Sequence, residues 1–358
     1  MAESYIEMFE ETYYPPVFLE TARGTIRDFE EDLGGITERV KQSLDQYMRD
    51  LTKLQEARLA PAVAELTLSF LYTSLGGGEA AFRIDSYGAG GRVYEGTILS
   101  EPMAAPWLSA RFKELEAGLT ECLIQNSLKR YIRPAEIERL KIRAARSLLL
   151  YFTSRFRYIM EDALDRKLLA KVVKEKSFLV EMGEYMDWLK PVFALRPEID
   201  LFNRDKREPL RFRRYAAVTY REKVFRDWVM NQSRFTDCTF AEGEIDGCRM
   251  NDCVFDGCSF ETMTIKNTEM AGCLFINCDF GQVRFENVGF NGDSVKRLEE
   301  YFEPAEFYRC GITSTIFDGC DLSGCVAKEC DIEGLTVAAS SLEGSGFEHD
   351  DRIIREAG

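Results

Sequence analysis

Ten of the eleven cysteines lie between Cys238 and Cys330, a density that suggests metal ligation, disulfide formation or core packing. Zinc sites draw on closely paired Cys-x-x-Cys ligands and on histidine. Here Cys238, Cys248, Cys253, Cys258, Cys273 and Cys278 are spaced by multiples of five, as are Cys310, Cys320, Cys325 and Cys330. The one histidine, His349, stands near the end of the chain. This pattern predicts neither a metal site nor a cofactor, and so many neighbouring thiols point to a reducing, cytoplasmic setting. With a single histidine no Ser/His/Asp or Cys/His constellation can be assembled in the usual way. The 61 carboxylates are too plentiful to single out an acid/base pair, so a non-enzymatic role is expected.

The cysteine spacing follows a larger rhythm. Every fifth residue from Phe235 to Phe290 is Phe, Ile or Met: Phe235, Phe240, Ile245, Met250, Phe255, Phe260, Ile265, Met270, Phe275, Phe280, Phe285 and Phe290. Two positions before each stands a smaller residue, most often cysteine. A period of five fits neither the helical repeat nor the strand repeat, so the chain must bend regularly to keep these residues inside. That is a solenoid whose interior takes one large and one small side chain per step. The beat resumes in a new register at Ile312 and runs to Phe347.

Segments such as DGCRMNDCVFDGCSF and LFINCDF resemble the pentapeptide-repeat family over about residues 233–348. The resemblance implies a right-handed quadrilateral β-helix in which four repeats make one coil and residues twenty apart stack. Twelve repeats and then eight give about five coils, and strand-like spacing gives a rod of about 24 Å. The Asp or Asn that commonly precedes the large residue in the family stands here only at Asp279, Asp321 and Asp331. The resemblance also implies protein partners, including a DNA-binding enzyme for members that mimic duplex DNA in the groove of a topoisomerase such as DNA gyrase.

A solenoid needs its ends covered. Residues 210–232 carry Phe212, Tyr220, Val224, Phe225 and Trp228 among arginines and read as an amphipathic capping helix. The tail, 349–358, offers a slight second cap through Ile353 and Ile354. Residues 291–309 interrupt the rhythm, with a short helix expected over 295–302 that ends before Pro304. This insertion is either a partner contact or a tolerated surface excursion.

Residues 1–209 read as a mostly helical domain, and the whole as an α + β solenoid. Ile36, Val40, Leu44, Tyr47, Leu51 and Leu54 form one helical stripe ending near Pro61. Further helices are expected over 107–128, 134–160 and 164–188, making a bundle, with 190–209 as the connection. A small β-hairpin is expected near 80–100, where Phe82 and Ile84 precede a GAGG turn and Val93, Tyr94 and Ile98 follow. These glycines lack the pattern of a phosphate-binding loop.

Residues 1–125 hold 11 basic and 21 acidic side chains, residues 126–230 hold 25 and 15, and residues 231–358 hold 10 and 25. The first two segments cancel and leave the net charge of −15 on the repeat end. No direct nucleic-acid binding is expected, because the basic middle answers the acidic start. The opening MAESYIEMFEE lacks a secretory pattern, and no apolar run is long enough for a bilayer.

The expected function is protein–protein interaction or scaffolding by a rigid acidic surface. The alternative is a DNA mimic that inhibits or protects a topoisomerase. Candidate contact residues are Glu299, Glu300, Glu303 and Glu306 of the insertion and the outward pair Val254 and Leu274. The oligomeric state stays open.

Overall fold

The computed structural model describes residues 2–205, 207–292 and 302–356. The chain divides into two compact units, Met1–Ala194 and Leu195–Gly358.

In the first unit, α1 (Ala2–Thr12), α2 (Tyr14–Glu31) and α3 (Leu33–Glu56) lead into β1 (Val63–Phe70). Then come α4 (Tyr72–Gly76), β2 (Ala81–Tyr87), α5 (Gly91–Tyr94) and β3 (Leu99–Ala104). The unit closes with α6 (Pro106–Gln125), α7 (Pro134–Ala163), α8 (Arg166–Lys171), β4 (Lys174–Glu184) and β5 (Leu189–Leu195). Where the pattern predicts a bundle, the structure has helices packed with a five-stranded sheet of order β3-β2-β1-β4-β5. The predicted stripe is present: Ile36, Val40, Leu44, Tyr47 and Leu51 are buried along α3. The Tyr47 hydroxyl, 2.8 Å from both Ser86 Oγ and the Leu99 carbonyl, ties that helix to the sheet.

The expected helix over 164–188 is instead α8 followed by β4. Asp165 caps α8 by accepting from the backbone of Lys167 and Leu168. Beyond it Phe178, Val180 and Met182 alternate inward at the strand period. Val180 and Met182 pair with Leu66 and Leu68, and Leu68 pairs in turn with Ile84, giving the sheet a continuous apolar face. The expected hairpin is the antiparallel pair β2 and β3, but α5 joins them rather than a glycine turn. Val93 and Tyr94 therefore stand exposed on α5 and do not belong to the second strand.

The second unit is built on a step of twenty residues. Three parallel sheets have orders that advance by one coil per strand, and a fourth line of isolated bridges runs Val229, Arg249, Glu269, Gly289, Asp321, Ser341. Four ladders per coil leave a bend every fifth residue. At those bends the backbone enters the left-handed region, as at Asp237, Glu242, Gly247, Asp252 and Gly257. Between bends each strand is three residues long, with the central side chain inside. Phe235, Phe255, Phe275 and Phe307 stack with ring centroids 4.9, 5.0 and 4.8 Å apart. Phe240, Phe260 and Phe280 stack at 4.8 and 5.0 Å. These separations match the spacing of neighbouring strands, about 4.8 Å, so ring packing and backbone hydrogen bonding share one repeat distance.

Residues 210–232 are not a capping helix. Tyr215, Tyr220, Phe225 and Met230 carry the five-residue beat upstream, and strands at 214–216, 219–221 and 224–226 open the three sheets. Tyr215 stacks on Phe235 at 5.1 Å and Tyr220 lies against Phe240 at 5.2 Å. That packing outcompetes a short helix, which is marginal on its own. The ladders therefore have six rungs, seven in one sheet, rather than about five coils.

The insertion is also shorter than the broken rhythm suggests. Phe275 pairs with Phe307, 32 positions on rather than twenty, so the register takes in twelve extra residues and the beat resumes at Phe307, before Ile312. The helix expected over 295–302 falls, except for its last residue, outside the described residues.

The ends are covered by irregular chain. Leu201 and Leu210 join the solenoid core below the first coil. Arg213, 3% exposed, donates to the Pro197 and Pro209 carbonyls and to Glu208, and so pins the segment leading into that coil. At the other end Phe347 packs under Phe307 and Phe317, and Ile354–Glu356 adds the seventh strand beside Thr336–Ala338. Among the described residues no helix is long and apolar enough to cross a membrane.

Removing one ring from the interior leaves a void that the stacked neighbours cannot close. Phe255→Ala is expected to cost about 3–5 kcal/mol, read from the urea midpoint followed by near-UV circular dichroism. Gly257 sits at a bend with φ of 63°, and an added Cβ there meets Asp237 Oδ1 at 2.5 Å. Gly257→Ala is expected to cost about 1–2 kcal/mol by the same measurement.

Candidate interaction surface

The cysteines are structural donors. The ten in the solenoid sit two residues before an inward position, and nine of them aim the thiol at a carbonyl of the coil beneath, while Cys248 donates to Asp246 of its own coil. Cys253 reaches the Met230 carbonyl at 3.2 Å, Cys273 that of Met250 at 2.9 Å, Cys258 that of Phe235 at 3.4 Å and Cys278 that of Phe255 at 3.3 Å. Thr315 and Ser340 make the same contact elsewhere, to Phe280 and Phe317. A small side chain with a weak donor is what this position selects, and sequence reading captured the size but not the hydrogen bond. All eleven cysteines are free, and nine are buried. Among the described residues no group of three metal-ligating side chains converges. Burial pushes the thiols of Cys248 and Cys320 up to about 11 and that of Cys325 to about 12.

With the interior filled, the outward residues on either side of each inward one are left to meet a partner, and they form columns of fixed register. On the sheet beginning at Arg214, one column runs Arg214, Arg234, Val254, Leu274, Glu306, Val326. Its companion runs Ala216, Thr236, Asp256, Ile276, Tyr308, Lys328. The structure brings the sequence candidates Val254 and Leu274 side by side and sets Glu306 next to Leu274. Glu303 precedes that strand by three positions, while Glu299 and Glu300 lie outside the described residues. Ile276 and Tyr308, which the sequence candidates omit, complete a contiguous half-buried patch with Val254 and Leu274, and Val326 lies one rung further on, beyond Glu306. The Lys328 ammonium lies 5.6 Å from the Tyr308 ring centre. The signal for Tyr308 was available only once the twelve-residue offset placed it beside Ile276.

The sheet beginning at Val224 is different in kind. Arg226 bonds Glu244 at 3.0 Å and lies 3.5 Å from Asp246, and Lys266 bonds Glu244 at 2.9 Å. One coil further, Arg284 bridges to Asp318 at 2.8 Å and also pairs with Glu286. The Lys266 ammonium holds Glu244 below its ordinary carboxylate range. Opposite charges thus alternate along the axis instead of forming an unopposed acidic stripe. The line of bridges carries an amide ladder in which Asn231 and Asn251 accept from the backbone of Asn251 and Ala271, each at 3.0 Å.

Five residues per side, four sides per coil and an in-register neighbour twenty residues on settle the architecture of this unit. It is a pentapeptide-repeat solenoid. No protein-family model and no curated protein matches the chain. Solved pentapeptide-repeat structures are similar to it. HetL, involved in heterocyst differentiation regulation in the cyanobacterium Nostoc sp., matches at 6% identity and a TM-score of 0.27, over 37% of this chain and 63% of HetL. This chain thus spans less than two thirds of HetL's length. QnrB1, a plasmid-mediated fluoroquinolone resistance protein, matches in a trypsin-treated form at 17% identity and a TM-score of 0.19, over 39% and 78%. Rfr23 from the cyanobacterium Cyanothece matches at 8% identity and a TM-score of 0.21, over 40% and 92%. The pentapeptide-repeat solenoid described here stands on its own register, without support from those scores.

The packing of its thiols gives a direct readout. A maleimide at neutral pH is expected to label only the half-buried Cys122 and Cys330 rapidly, with the other nine reacting after denaturation. Raised folded-state values also set a pH dependence. The unfolded chain releases these protons first, so stability is full below the ordinary thiol value of 9.0 and falls as pH rises toward about 11. Denaturant midpoints taken across that window should decline, and a flat profile would contradict the assignment.

Proposed function

We propose that this chain is a non-catalytic interaction protein, and that the solenoid docks a protein partner on the patch of Val254, Leu274, Ile276 and Tyr308. The observation that carries this reading is the register that joins four half-buried apolar side chains on adjacent rungs of one sheet. Such a patch, rimmed by Arg234, Asp256, Glu306 and Lys328, has the apolar centre and polar border of a docking site. The rungs are held by backbone bonds, so little ordering is lost when a partner lands.

The DNA-mimic reading has support in composition, since residues 231–358 carry 25 acidic and 10 basic side chains. Two features weigh against it. Residues 210–230, now part of the rod, hold six basic and two acidic side chains. The acids at 244, 246, 286 and 318 are in addition paired with Arg226, Lys266 or Arg284. Duplex DNA, by contrast, presents an unbroken line of charge, about one per 1.7 Å.

Leu274→Arg paired with Val254→Arg tests the docking patch. The double variant is expected to keep the wild-type circular dichroism spectrum while losing, by at least about tenfold, the retention of whatever partner the wild-type chain captures from host lysate. Equal retention by both proteins would rule the patch out. A gyrase supercoiling assay separates the second reading: no effect at micromolar chain is expected, and dose-dependent inhibition or protection would favour mimicry.

A further inference from the structure

Five of the cysteines stand in single file. Cys238, Cys258, Cys278, Cys310 and Cys330 each precede a strand of the same sheet, whose register sets each one directly over the last. The carbonyl of each of the first four accepts from the N–H that follows the next cysteine, at 2.9 Å in every case. The five thiols also point alike, at the carbonyls of Tyr215, Phe235, Phe255, Phe275 and Phe307 over 3.3–3.6 Å. Side chains that share register and orientation repeat at the rung distance, so successive sulfurs stand about 4.8 Å apart. Neighbouring thiols perturb one another at that range: the S–H groups of Cys278 and Cys330 hold Cys310 below the ordinary thiol value, and Cys310 pushes Cys330 up.

Such a file cannot build a zinc tetrahedron, because its ligands lie on a line. A line of thiolates suits a soft monovalent ion such as Cu(I), which accepts two sulfurs at opposite poles. Metal–thiolate bonds run about 2.3 Å for zinc, so two laid end to end span about 4.6 Å, close to the rung spacing. Four of the five thiols are buried, and only Cys330 is half-buried. It closes the file at the end of the solenoid, where the strand at 331–333 has a sheet partner on one side only. Arg352 stands over this end, held by Asp350 at 2.9 and 2.6 Å and donating to the Cys330 carbonyl at 3.3 Å. An ion arriving from solvent therefore meets Cys330 first and finds Cys310 directly beneath it.

We propose that Cys310 and Cys330 form a two-coordinate site for one soft monovalent metal ion of the Cu(I) type, held in line between the two sulfurs. Binding replaces two S–H bonds by two metal–sulfur bonds and releases both protons to solvent, with no change of oxidation state. Affinity therefore rises with pH. The site shares no residue with the docking patch, so the two proposals fail independently.

The test is a competition for Cu(I) between the full chain and the chelator bathocuproine disulfonate, under ascorbate and without oxygen. Cys122→Ser serves as the parent, which removes the one thiol outside the solenoid. The parent is expected to withdraw one Cu(I) per chain from the chelator and to give an X-ray absorption spectrum with two sulfur neighbours and no third. Cys310→Ser and Cys330→Ser, each in that parent, should weaken retention by more than about a hundredfold, a larger loss than removal of a supporting group causes. Both should keep the parent's circular dichroism spectrum, since Ser340 makes the equivalent carbonyl contact on another sheet. Cys238→Ser, at the far end of the file, should retain Cu(I) as the parent does. Failure of the folded parent to withdraw Cu(I) would overturn the proposal. Equal retention by Cys310→Ser would also overturn it, by showing that one surface thiol suffices, as would a loss in Cys238→Ser as large as that in Cys310→Ser.

Discussion

The solenoid depends on one constraint: the backbone must turn after every fifth residue so that the twenty-first lands on the first. Left-handed backbone at the bends makes the turn, and only single residues can adopt it cheaply between short strands. Glycine occupies several bends, but Asp, Asn, Glu and Gln occupy many more, from Asp227 to Asn287. What compensates their strain is cooperative. Each coil gains a full set of backbone bonds from its neighbour, and its rings stack at the same interval. Neither term alone would fix a square section; together they leave no other period available.

That cooperation explains which parts of the fold could be read in the residues alone. Between Phe235 and Phe290 one class of side chain repeats without exception, and the structure places every one of them inside. Upstream, the same positions are held by Tyr215, Tyr220, Phe225 and Met230, but surrounding arginines and a coincident helical stripe hide them. The difference is decided by stacking on Phe235 and Phe240, which a local pattern does not contain. The outward patch was half legible for a similar reason. Val254 and Leu274 are twenty apart and visible; Tyr308 joins them beside Ile276 only through an insertion whose length the rhythm does not announce.

The first unit shows the opposite balance. Its helices α3, α6 and α7 follow from stripes of apolar residues, and Pro106 and Pro134 open the last two. Its sheet does not follow so readily. The pairing of β1 with β4 joins residues more than a hundred positions apart, as in Leu68 with Met182. Phe178, Val180 and Met182 alternate over too short a span to stand out beside the longer helical patterns around them. Non-local pairing of this kind supplies the stabilisation that separates a strand from a helix, and composition is silent on it.

The insertion between Phe290 and Phe307 has a wider meaning. Twelve added residues leave every later rung in phase with every earlier one. A rod of this type therefore keeps its place the way a clock does, by remainder and not by distance, and material spliced in at a corner changes what is displayed without disturbing the count. New recognition elements can be grafted onto such a frame while the grid of contacts on either side is inherited intact.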